Sequence, residues 1–525
     1  MCTRPFPGAA RFVVLLAVAA FGSLAGCGDG GPGTVEPPSV TPPVGPAWWG
    51  FGRDVQHSAQ AAVAAQALNR IAWSTPVDLA PQYTAQGALL IHYGSPVITS
   101  RNTVLVPVKT GAAGGFRFEA RSGVTGALIW SADSDYVLPS HNWTPSFNIA
   151  VTAGNRVYAP GAGGKLFFRD DVDAPSGAIQ TAVFYGADVY AAARVVYDAT
   201  IIINTPLTAD PQGNVFFGFI ATGANPAGLT SGIARIGADG RGAWVAASAA
   251  GGNPAFVKVA TNSAPALSVD LRTLYVAVNT APVAGTRQSG ALLALDSATL
   301  ATRGQVPLRD PGTGELAWIS DDGTSSPTVG PDGDVYFGVL EANAPAHNYR
   351  GWLLHFDATL NRTGTPGAFG WDDTASIVPA SMVPAYSGNS TYLVATKYNN
   401  YGGVGTGDGK NRMAILDPNQ VQADPISGIA VMKEVLTILG PTPDQGYPGA
   451  VKEWCINTVA VDPLTRSVLV NSEDGILYRW DLASNRFTEQ IRLNSGLAES
   501  YTPTAIGPDD VVYAINNAVL FAVGR

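Results

Sequence analysis

The chain has 525 residues and a formal net charge of −9, with 46% hydrophobic and 14% charged residues. An acidic chain without a basic stripe argues against a nucleic-acid partner. The 60 glycines and 38 prolines favour many short strands joined by turns, and no long amphipathic helix is evident.

Residues 1–26 form a predicted targeting segment. Arg4 and Arg11 supply its positive end, and Phe12–Phe21 supplies its apolar core. The Leu-Ala-Gly-Cys run that ends at Cys27 resembles a bacterial lipobox, in which the cysteine is acylated after cleavage. The resemblance implies a lipid anchor and a place in the cell envelope, facing the periplasm or the cell surface. An ordinary secretory signal with a chance cysteine is the alternative.

Two further regions follow the targeting segment. Residues 27–47 are rich in proline and glycine and have no apolar period, which predicts an extended tether. Residues 48–525 are predicted to form a single folded domain.

A β-hairpin recurs throughout that domain. In its clearest copy, Ser326–Val339, a short apolar strand precedes a Pro-Asp-Gly turn, and a β-branched and aromatic strand follows. The other copies begin at Ser95, Thr144, Thr205, Ala264, Val383, Asn457 and Thr502. Their spacing, slightly wider than the roughly 40–50 residues of a four-stranded blade, predicts an all-β, eight-bladed β-propeller. Seven blades is the alternative, because the copies at Val383 and Asn457 are irregular.

The last blade lacks a strand in the C-terminal sequence. The chain ends after three strand-like runs, Thr502–Ile506, Val511–Ile515 and Val519–Val523. A strand around Ala72–Pro76 is therefore predicted to complete this blade and to close the ring without an open edge.

Residues 120–130 (ARSGVTGALIW) resemble the tryptophan-docking motif of quinoprotein-type, PQQ-binding-like propellers, Ala-x-Asp-x-x-Thr-Gly-x-x-x-Trp. Ser122 stands in place of the aspartate. The resemblance implies that the motif joins the third and fourth strands of a blade and that its indole packs between neighbouring blades. Trp130 and Trp244 are the candidate docking tryptophans.

The same resemblance makes a quinone-dependent dehydrogenase one interpretation of the chain. Such enzymes use PQQ, carboxylate and amide ligands for calcium, an aspartate base and usually a ring between adjacent cysteines. No Cys-Cys pair occurs here, so the sequence does not favour PQQ or calcium, and we expect no cofactor. The runs at Asp170 and Asp408 resemble calcium loops but lack the EF-hand glutamate, so we expect no metal.

In a propeller, residues just before each innermost strand lie at the mouth of the central channel. This rule, with the glycine-rich loop after Thr396, gives the candidate ligand-binding residues. They are His141, Trp143, Asp321, Asp322, Lys397, Tyr398, Glu453, Trp454, Glu499 and Tyr501. Trp143, Trp454 and Tyr501 are predicted aromatic platforms, and Lys397 would hold an anion. The alternative is that all of these are solvated loop residues that cap strand ends.

Hydrolase or lyase chemistry on a polysaccharide would need paired carboxylates, or a histidine with a partner. The four acidic candidates could meet across the channel beside His141, but no local spacing requires it, and we predict no catalytic residue. We therefore expect a monomeric, lipid-anchored binding or scaffold module for a protein or carbohydrate partner. In overall plan it resembles the propeller lipoprotein of the outer-membrane assembly machinery. A propeller enzyme is the alternative.

Overall fold

The computed structural model describes residues 47–85, 87, 89, 91–141, 145–283, 287–321, 325–495 and 499–525. These residues form eight antiparallel sheets, which are the eight predicted blades. The first strand of the chain, β1 (Arg70–Pro76), belongs to the last blade. The predicted targeting segment, the tether and Cys27 lie outside the described residues, as do Trp143 and Asp322.

Blades 1 to 4 contain the following strands in order from the channel outward. Blade 1 has β2 (Val97–Ile98), β3 (Thr103–Lys109), β4 (Phe116–Ser122) and β5 (Leu128–Ser134); blade 2 has β6 (Ala150–Val151), β7 (Val157–Pro160), β8 (Lys165–Arg169) and β9 (Gln180–Val183). Blade 3 has β10 (Ile201–Ile203) and β11 (Thr208–Ala209) innermost, then β12 (Val215–Ala221), β13 (Gly232–Ile236) and β14 (Gly242–Ala246). Blade 4 has β15 (Phe256–Val259) and β16 (Ala266–Leu267) innermost, then β17 (Thr273–Thr280), β18 (Gly290–Asp296) and β19 (Thr302–Pro307).

Blades 5 to 8 follow the same plan. Blade 5 has β20 (Thr328–Val329), β21 (Val335–Val339) and β22 (Trp352–Phe356); blade 6 has β23 (Ser376–Pro379), β24 (Tyr392–Tyr398), β25 (Arg412–Ala423) and β26 (Ala430–Leu439). Blade 7 has β27 (Ala460–Asp462), β28 (Ser467–Asn471), β29 (Ile476–Asp481) and β30 (Arg486–Arg492); blade 8 has β31 (Ala505–Ile506), β32 (Val512–Asn516) and β33 (Val519–Gly524), with β1 outermost. The helices are α1 (Ala187–Ala192), α2 (Arg194–Thr200) and α3 (Ala247–Ala250), with 3-10 turns at Ala162–Gly164 and Ala380–Met382. In the described part of the chain, no helix is both long and apolar enough to cross a bilayer.

The two ends of the domain pair with each other. Strand β1 runs antiparallel to β33, with Arg70 opposite Gly524 and Pro76 opposite Val519. Around the ring, inner strands of neighbouring blades contact each other, as in β2 with β6, β16 with β20 and β23 with β27. The predicted closure by the N-terminal strand is confirmed.

Buried side chains fill the spaces between blades rather than one central core. Trp130 of β5 illustrates this packing, because its Nε1 donates to the Val172 carbonyl of blade 2 at 2.7 Å. The Arg169 guanidinium of blade 2 lies 4.2 Å from the Trp130 ring centre. Trp130 therefore packs between neighbouring blades, as the motif implied.

The chain closes its own channel with residues 48–61, which we call the channel plug. Trp48 exchanges two backbone hydrogen bonds with Ile98 of β2, at 2.9 and 2.8 Å. Plug carbonyls then accept from inner strands of five further blades, in the pairs Trp49–Val151, Val55–Leu267, Gln56–Val329, Ser58–Ile377 and Ala59–Val461. Positive φ angles at Gly52, Arg53, His57 and Ala59 bend the plug into this circuit. At the level of the plug, the propeller is not an open pore.

The sequence prediction for blade 6 is wrong in one strand. The hairpin copy at Val383 places the innermost strand at Pro384, whereas the structure has β23 at Ser376–Pro379. The second strand, β24, lies where the repeat placed it. The error arises because a longer connection replaces the tight Pro-Asp-Gly turn between these two strands.

Candidate functional site

Side-chain hydrogen bonds join neighbouring blades at the end of the channel where the inner strands begin, the mouth. Asn148 Oδ1 of blade 2 accepts from Ser95 N of blade 1 at 2.8 Å. Asn457 Nδ2 of blade 7 donates to Tyr501 Oη of blade 8 at 2.7 Å. Similar bonds join Ser326 to Thr374 and Thr502 to Tyr93. They satisfy buried polar groups and hold the mouth in a fixed geometry.

A buried group of charged and aromatic residues lies at this mouth. We call it the mouth cluster, and it comprises His92, Asp372, Asp373, Lys397, Glu499 and Tyr501. Lys397, at the end of β24, is fully buried; its Nζ lies 3.5 Å from Asp372 Oδ2 and 5.7 Å from the Tyr501 ring centre. Tyr501 stacks on His92, with ring centres 4.0 Å apart and planes 19° apart. Segments of blades 1, 6 and 8 thus converge on one site.

Two carboxyl groups of the mouth cluster titrate near neutral pH. Burial raises the pKa of Asp373 to about 7, although Lys397 and the Thr396 hydroxyl oppose the rise. Thr396 Oγ1 donates to Asp373 Oδ2 at 2.6 Å. Burial raises the pKa of Glu499 to about 8, while one of its oxygens accepts from Tyr501 N. Small changes in pH around neutrality therefore change the charge of the mouth.

The aromatic pair of the cluster is uncharged over the same range. Burial, and then the Lys397 charge, lower the pKa of His92 to about 3. Burial raises the pKa of the Tyr501 phenol well above its ordinary value, and Asp372 adds to the rise. The Lys397 ammonium, paired with Asp372, is thus the positive group of the mouth cluster.

A small cavity separates the mouth cluster from the channel plug. It has a volume of about 20 Å³ and lies between Phe51 of the plug and the rings of His92 and Tyr501. Asn262 and Asn457 also line it. A space of this size holds about one water molecule.

Asp321 makes contacts outside the mouth cluster. Its Oδ1 accepts from Lys258 Nζ at 2.5 Å, from Thr261 N at 3.0 Å and from Asn279 Nδ2 at 3.1 Å. Burial alone would raise the pKa of Asp321, but the Lys258 charge and these hydrogen bonds outweigh it and hold the pKa below its ordinary value. Its polar contacts therefore tie it to blade 4.

Two of the predicted aromatic residues are packed against other side chains, Tyr398 between blades 5 and 6 and Trp454 within blade 7. Tyr398 Oη donates to Glu434 Oε1 at 3.0 Å, and the Arg350 guanidinium lies 4.3 Å from the Tyr398 ring centre. Trp454 is 1% exposed and meets Tyr478 edge-on at 5.9 Å. Neither ring presents an open face, so Tyr501 is the described aromatic candidate that lies in the cluster.

The remaining candidates lie on the loops of the mouth end. His141 is exposed, and its Nδ1 contacts the Pro139 carbonyl. Glu453 is buried, and its backbone N–H donates to the Glu473 carboxylate. The structure thus brings Lys397, Glu499 and Tyr501 together and places His141, Asp321, Tyr398 and Trp454 among other partners. Ligand binding by any of them stays a prediction.

Sequence reasoning missed His92, Asp372 and Asp373. Asp372 and Asp373 come shortly before β23, so the misplaced inner strand of blade 6 hid them. His92 lies shortly before β2, and the rule used for the other blades, applied to the run His-Tyr-Gly-Ser-Pro, would have found it.

No protein-family model matches the sequence, and no match is found among curated proteins. Among solved structures, the europium-containing methanol dehydrogenase matches with a TM-score of 0.53 at 12% identity, over 89% of each chain. In fold, this chain is an eight-bladed β-propeller, as that dehydrogenase match indicates. The chain also matches BamB from Moraxella catarrhalis, with a TM-score of 0.43 at 13% identity over 87% of this chain and 99% of that one. Quinohemoprotein alcohol dehydrogenase from Comamonas testosteroni gives 0.40 at 11% identity, over 89% and 70%. Identities this low show a likeness of fold alone.

The described residues of the mouth do not fit a calcium ion or a quinone cofactor. Among the described residues, no group of three or more His, Cys, Asp or Glu side chains is placed to hold a metal ion. Lysine ammonium groups already face two carboxylates, with Lys397 beside the buried Asp372 and Lys258 beside the partly exposed Asp321. These cations would repel a calcium ion. The cavity beside Tyr501 is also far smaller than a quinone cofactor.

Proposed function

We propose that this chain is a binding or scaffold propeller of the bacterial cell envelope. It is anchored through Cys27 and holds a protein or carbohydrate partner at the mouth cluster. The folded body acts as a monomer, and the partner approaches the end of the channel opposite the plug.

The observation that supports this proposal is a pair of buried polar atoms in the mouth cluster. Lys397 Nζ makes its 3.5 Å ion pair with Asp372 but no hydrogen bond, and Glu499 Oε2 has no hydrogen-bond partner within the described ranges. Buried donors and acceptors are costly unless they are bonded, so such atoms are uncommon in folded proteins. A partner's hydroxyl oxygen would accept from Lys397 Nζ, and a partner's hydroxyl hydrogen would be donated to Glu499 Oε2.

The chemistry of the cluster supports binding more than catalysis. Asp372 is neutralised by Lys397, while Asp373 bonds to Thr396 and has a pKa of about 7. A quinone-dependent enzyme would need a metal in this place, and the ammonium group opposes one. We therefore propose recognition of a polar group without a chemical step.

The experiment measures binding by wild-type protein and by the variants Lys397→Met and Glu499→Gln. The carbohydrate probes are a peptidoglycan disaccharide-peptide and a lipopolysaccharide core oligosaccharide, titrated by calorimetry. At pH 9, where the Glu499 carboxyl is mostly ionised, we expect at least one probe to bind the wild type. Each mouth variant is expected to weaken this binding by about tenfold, the loss of one charge-assisted hydrogen bond. Lys452→Met is the matched control, because Lys452 pairs with Asp444 at 3.4 Å on the surface and is 28% exposed.

A protein partner is tested by photocrosslinking in intact cells. Benzoylphenylalanine replaces Tyr447, which is 42% exposed on the loop that leads to blade 7 at the mouth end. It also replaces Leu464, 66% exposed in the turn between β27 and β28 at the opposite end. We expect a discrete crosslinked partner from position 447 and none from 464. Equal labelling at both positions, together with no glycan binding, would contradict the proposal.

A further inference from the structure

A cleft opens at the rim of the propeller between the outer strands of blades 2 and 3. Its volume is about 570 Å³, within the usual range of small-ligand sites. One wall carries Arg156, Tyr158 and Phe168 of blade 2, and the other carries Arg241 and Trp244 of blade 3. We call it the rim cleft. It is separate from the mouth cluster and shares no residue with it.

Trp244 lies one residue further along its strand than the position that corresponds to Trp130 of blade 1. In blade 1, Trp130 lies opposite Ala120 on the neighbouring strand, and Ala120 lies opposite Leu105. Leu105 in turn lies opposite Val97, the first residue of the innermost strand. In blade 3, the corresponding cross-strand neighbours are Phe216, Arg235 and Ala243. Ala243, and not Trp244, therefore occupies the position of Trp130.

Alternate residues of a strand face opposite sides, so the residue after Ala243 faces the other way. Trp244 therefore points back toward blade 2, and its ring meets Phe219 of its own blade edge-on at 5.9 Å. The prediction that Trp244 docks as Trp130 does is wrong. Its partly buried indole forms a wall of the rim cleft instead.

The rim cleft combines aromatic surfaces with positive charge. Tyr158, Phe168, Phe184, Tyr185 and Trp244 contribute rings, and the described residues that line the space include no Asp or Glu.

The two arginines of the cleft differ in how firmly they are paired. Arg156 is held by Asp170 through two hydrogen bonds, at 2.5 and 2.9 Å, and lies over the Phe168 ring at 4.3 Å. Arg241 is 89% exposed and 3.8 Å from Asp239, a loose surface pair. The Arg241 guanidinium is therefore able to turn toward an anion in the cleft.

We propose that the rim cleft binds a ring-shaped molecule that carries a carboxylate. The ring packs against Trp244, and the carboxylate pairs with Arg241, whose planar guanidinium matches it with two parallel hydrogen bonds. Two sources supply this chemistry, an acidic sugar residue of a polysaccharide and an aromatic acid. The site goes beyond the proposed function, since it neither uses the mouth cluster nor requires a partner there.

The experiment titrates full-length protein with trigalacturonate and with 4-hydroxybenzoate, and monitors binding by saturation-transfer NMR and calorimetry. Galactotriose and 4-hydroxybenzyl alcohol are the uncharged counterparts. We expect one of the two acids to bind and its counterpart to bind about tenfold more weakly, as expected for loss of a charged pair. Which acid binds identifies the source.

The variants separate the cleft from the rest of the surface. Trp244→Ala and Arg241→Ala each reduce affinity by about fivefold to tenfold, whereas Trp244→Phe retains most of it because a ring remains. Arg362→Ala is the matched control, since Arg362 is 79% exposed and 3.9 Å from Asp357 in blade 5. Absence of binding by both acids, or equal affinity in Arg241→Ala and Arg362→Ala, would overturn the proposal. Neither result affects the glycan binding measured for Lys397→Met, so the proposal for the rim cleft and the proposal for the mouth cluster are tested independently.

Discussion

Lys397 and Asp372 form an ion pair that burial makes costly to maintain. Taking both charges out of water offsets most of their attraction, and a well-packed apolar pair often stabilises a protein as much or more. The pair is fully or almost fully buried, at 0% and 2% side-chain exposure. Glu499 and Asp373 add carboxyl groups whose raised pKa values record the same cost. Groups with pKa values shifted in this way cluster at functional sites.

We expect the free energy of unfolding to fall as pH rises from 6.5 to 9. The pKa of Glu499 is about 8 in the folded chain against an ordinary 4.5, so the folded state holds this proton more tightly. The stabilisation from such a group is fully present below the pKa it has in the unfolded chain. It is lost as pH rises through the pKa it has in the folded chain. Asp373, at about 7, acts with the same sign. His92, with a pKa near 3, acts with the opposite sign and below this window.

Urea denaturation at several pH values across this window checks the expectation. Glu499→Gln carries no titrating proton, so its profile is shallower than that of the wild type. Glu315→Gln, at an exposed site, retains the wild-type profile. Parallel profiles for wild type and Glu499→Gln would show that this carboxyl does not carry the effect.

Strand β1 determines whether the eighth blade is complete. Besides its ladder with β33, its Trp73 Nε1 donates to the Gly123 carbonyl of blade 1 at 2.7 Å, and its ring meets Tyr513 at 5.8 Å. The strand thus joins blade 8 to blade 1 as well as to its own sheet. Without it, β33 becomes an open edge, which invites pairing with other chains.

A chain that starts at residue 47 is expected to fold as a monomer, and one that starts at residue 77 is expected to self-associate or aggregate. The difference lies in β1 and the channel plug, which the shorter chain lacks. Gel filtration and circular dichroism measure it, and a synthetic peptide of residues 47–76 added to the shorter chain is expected to restore part of the monomer. A monomeric, cooperatively folding chain from residue 77 would contradict this role of β1.

The hairpins were predictable because each one is encoded locally, by a turn and by alternating side chains. The blade-6 prediction failed where a long connection between β23 and β24 replaced that local code. The docking prediction for Trp244 failed because a single residue of register decides which face a side chain takes. The mouth cluster was found in part, since Lys397, Glu499 and Tyr501 follow from loop position. The sequence around Trp454 did not predict its burial, because the ring packs against Tyr478, which is distant in the sequence.

In the described part of the chain, the buried hydrophobic residues form several separate clusters around the ring rather than one central core. Such a body can bear a site at its mouth and another at its rim without either disturbing the other. The proposed attachment to a membrane is a prediction from the sequence before residue 47, through a lipid anchor at Cys27.

We expect Cys27→Ser to move the protein from the membrane fraction to the soluble fraction. An acyl chain contributes about 0.8 kcal/mol of membrane affinity per buried CH₂ group, so its loss removes the anchor. Fractionation after metabolic palmitate labelling measures the change, and Ser39→Ala in the tether is the control. Full retention of Cys27→Ser at the membrane, or an unlabelled wild type, would count against the anchor.

The channel plug has a consequence for biosynthesis. Residues 48–61 leave the ribosome before any blade, yet their hydrogen-bond partners extend to Val461 of blade 7, some four hundred residues later. The earliest part of the body to be made is therefore among the last to reach its final position. Until blade 7 has been made, this stretch lacks the strand to which Ala59 bonds, and a chaperone that shields it during synthesis would protect its unpaired backbone groups.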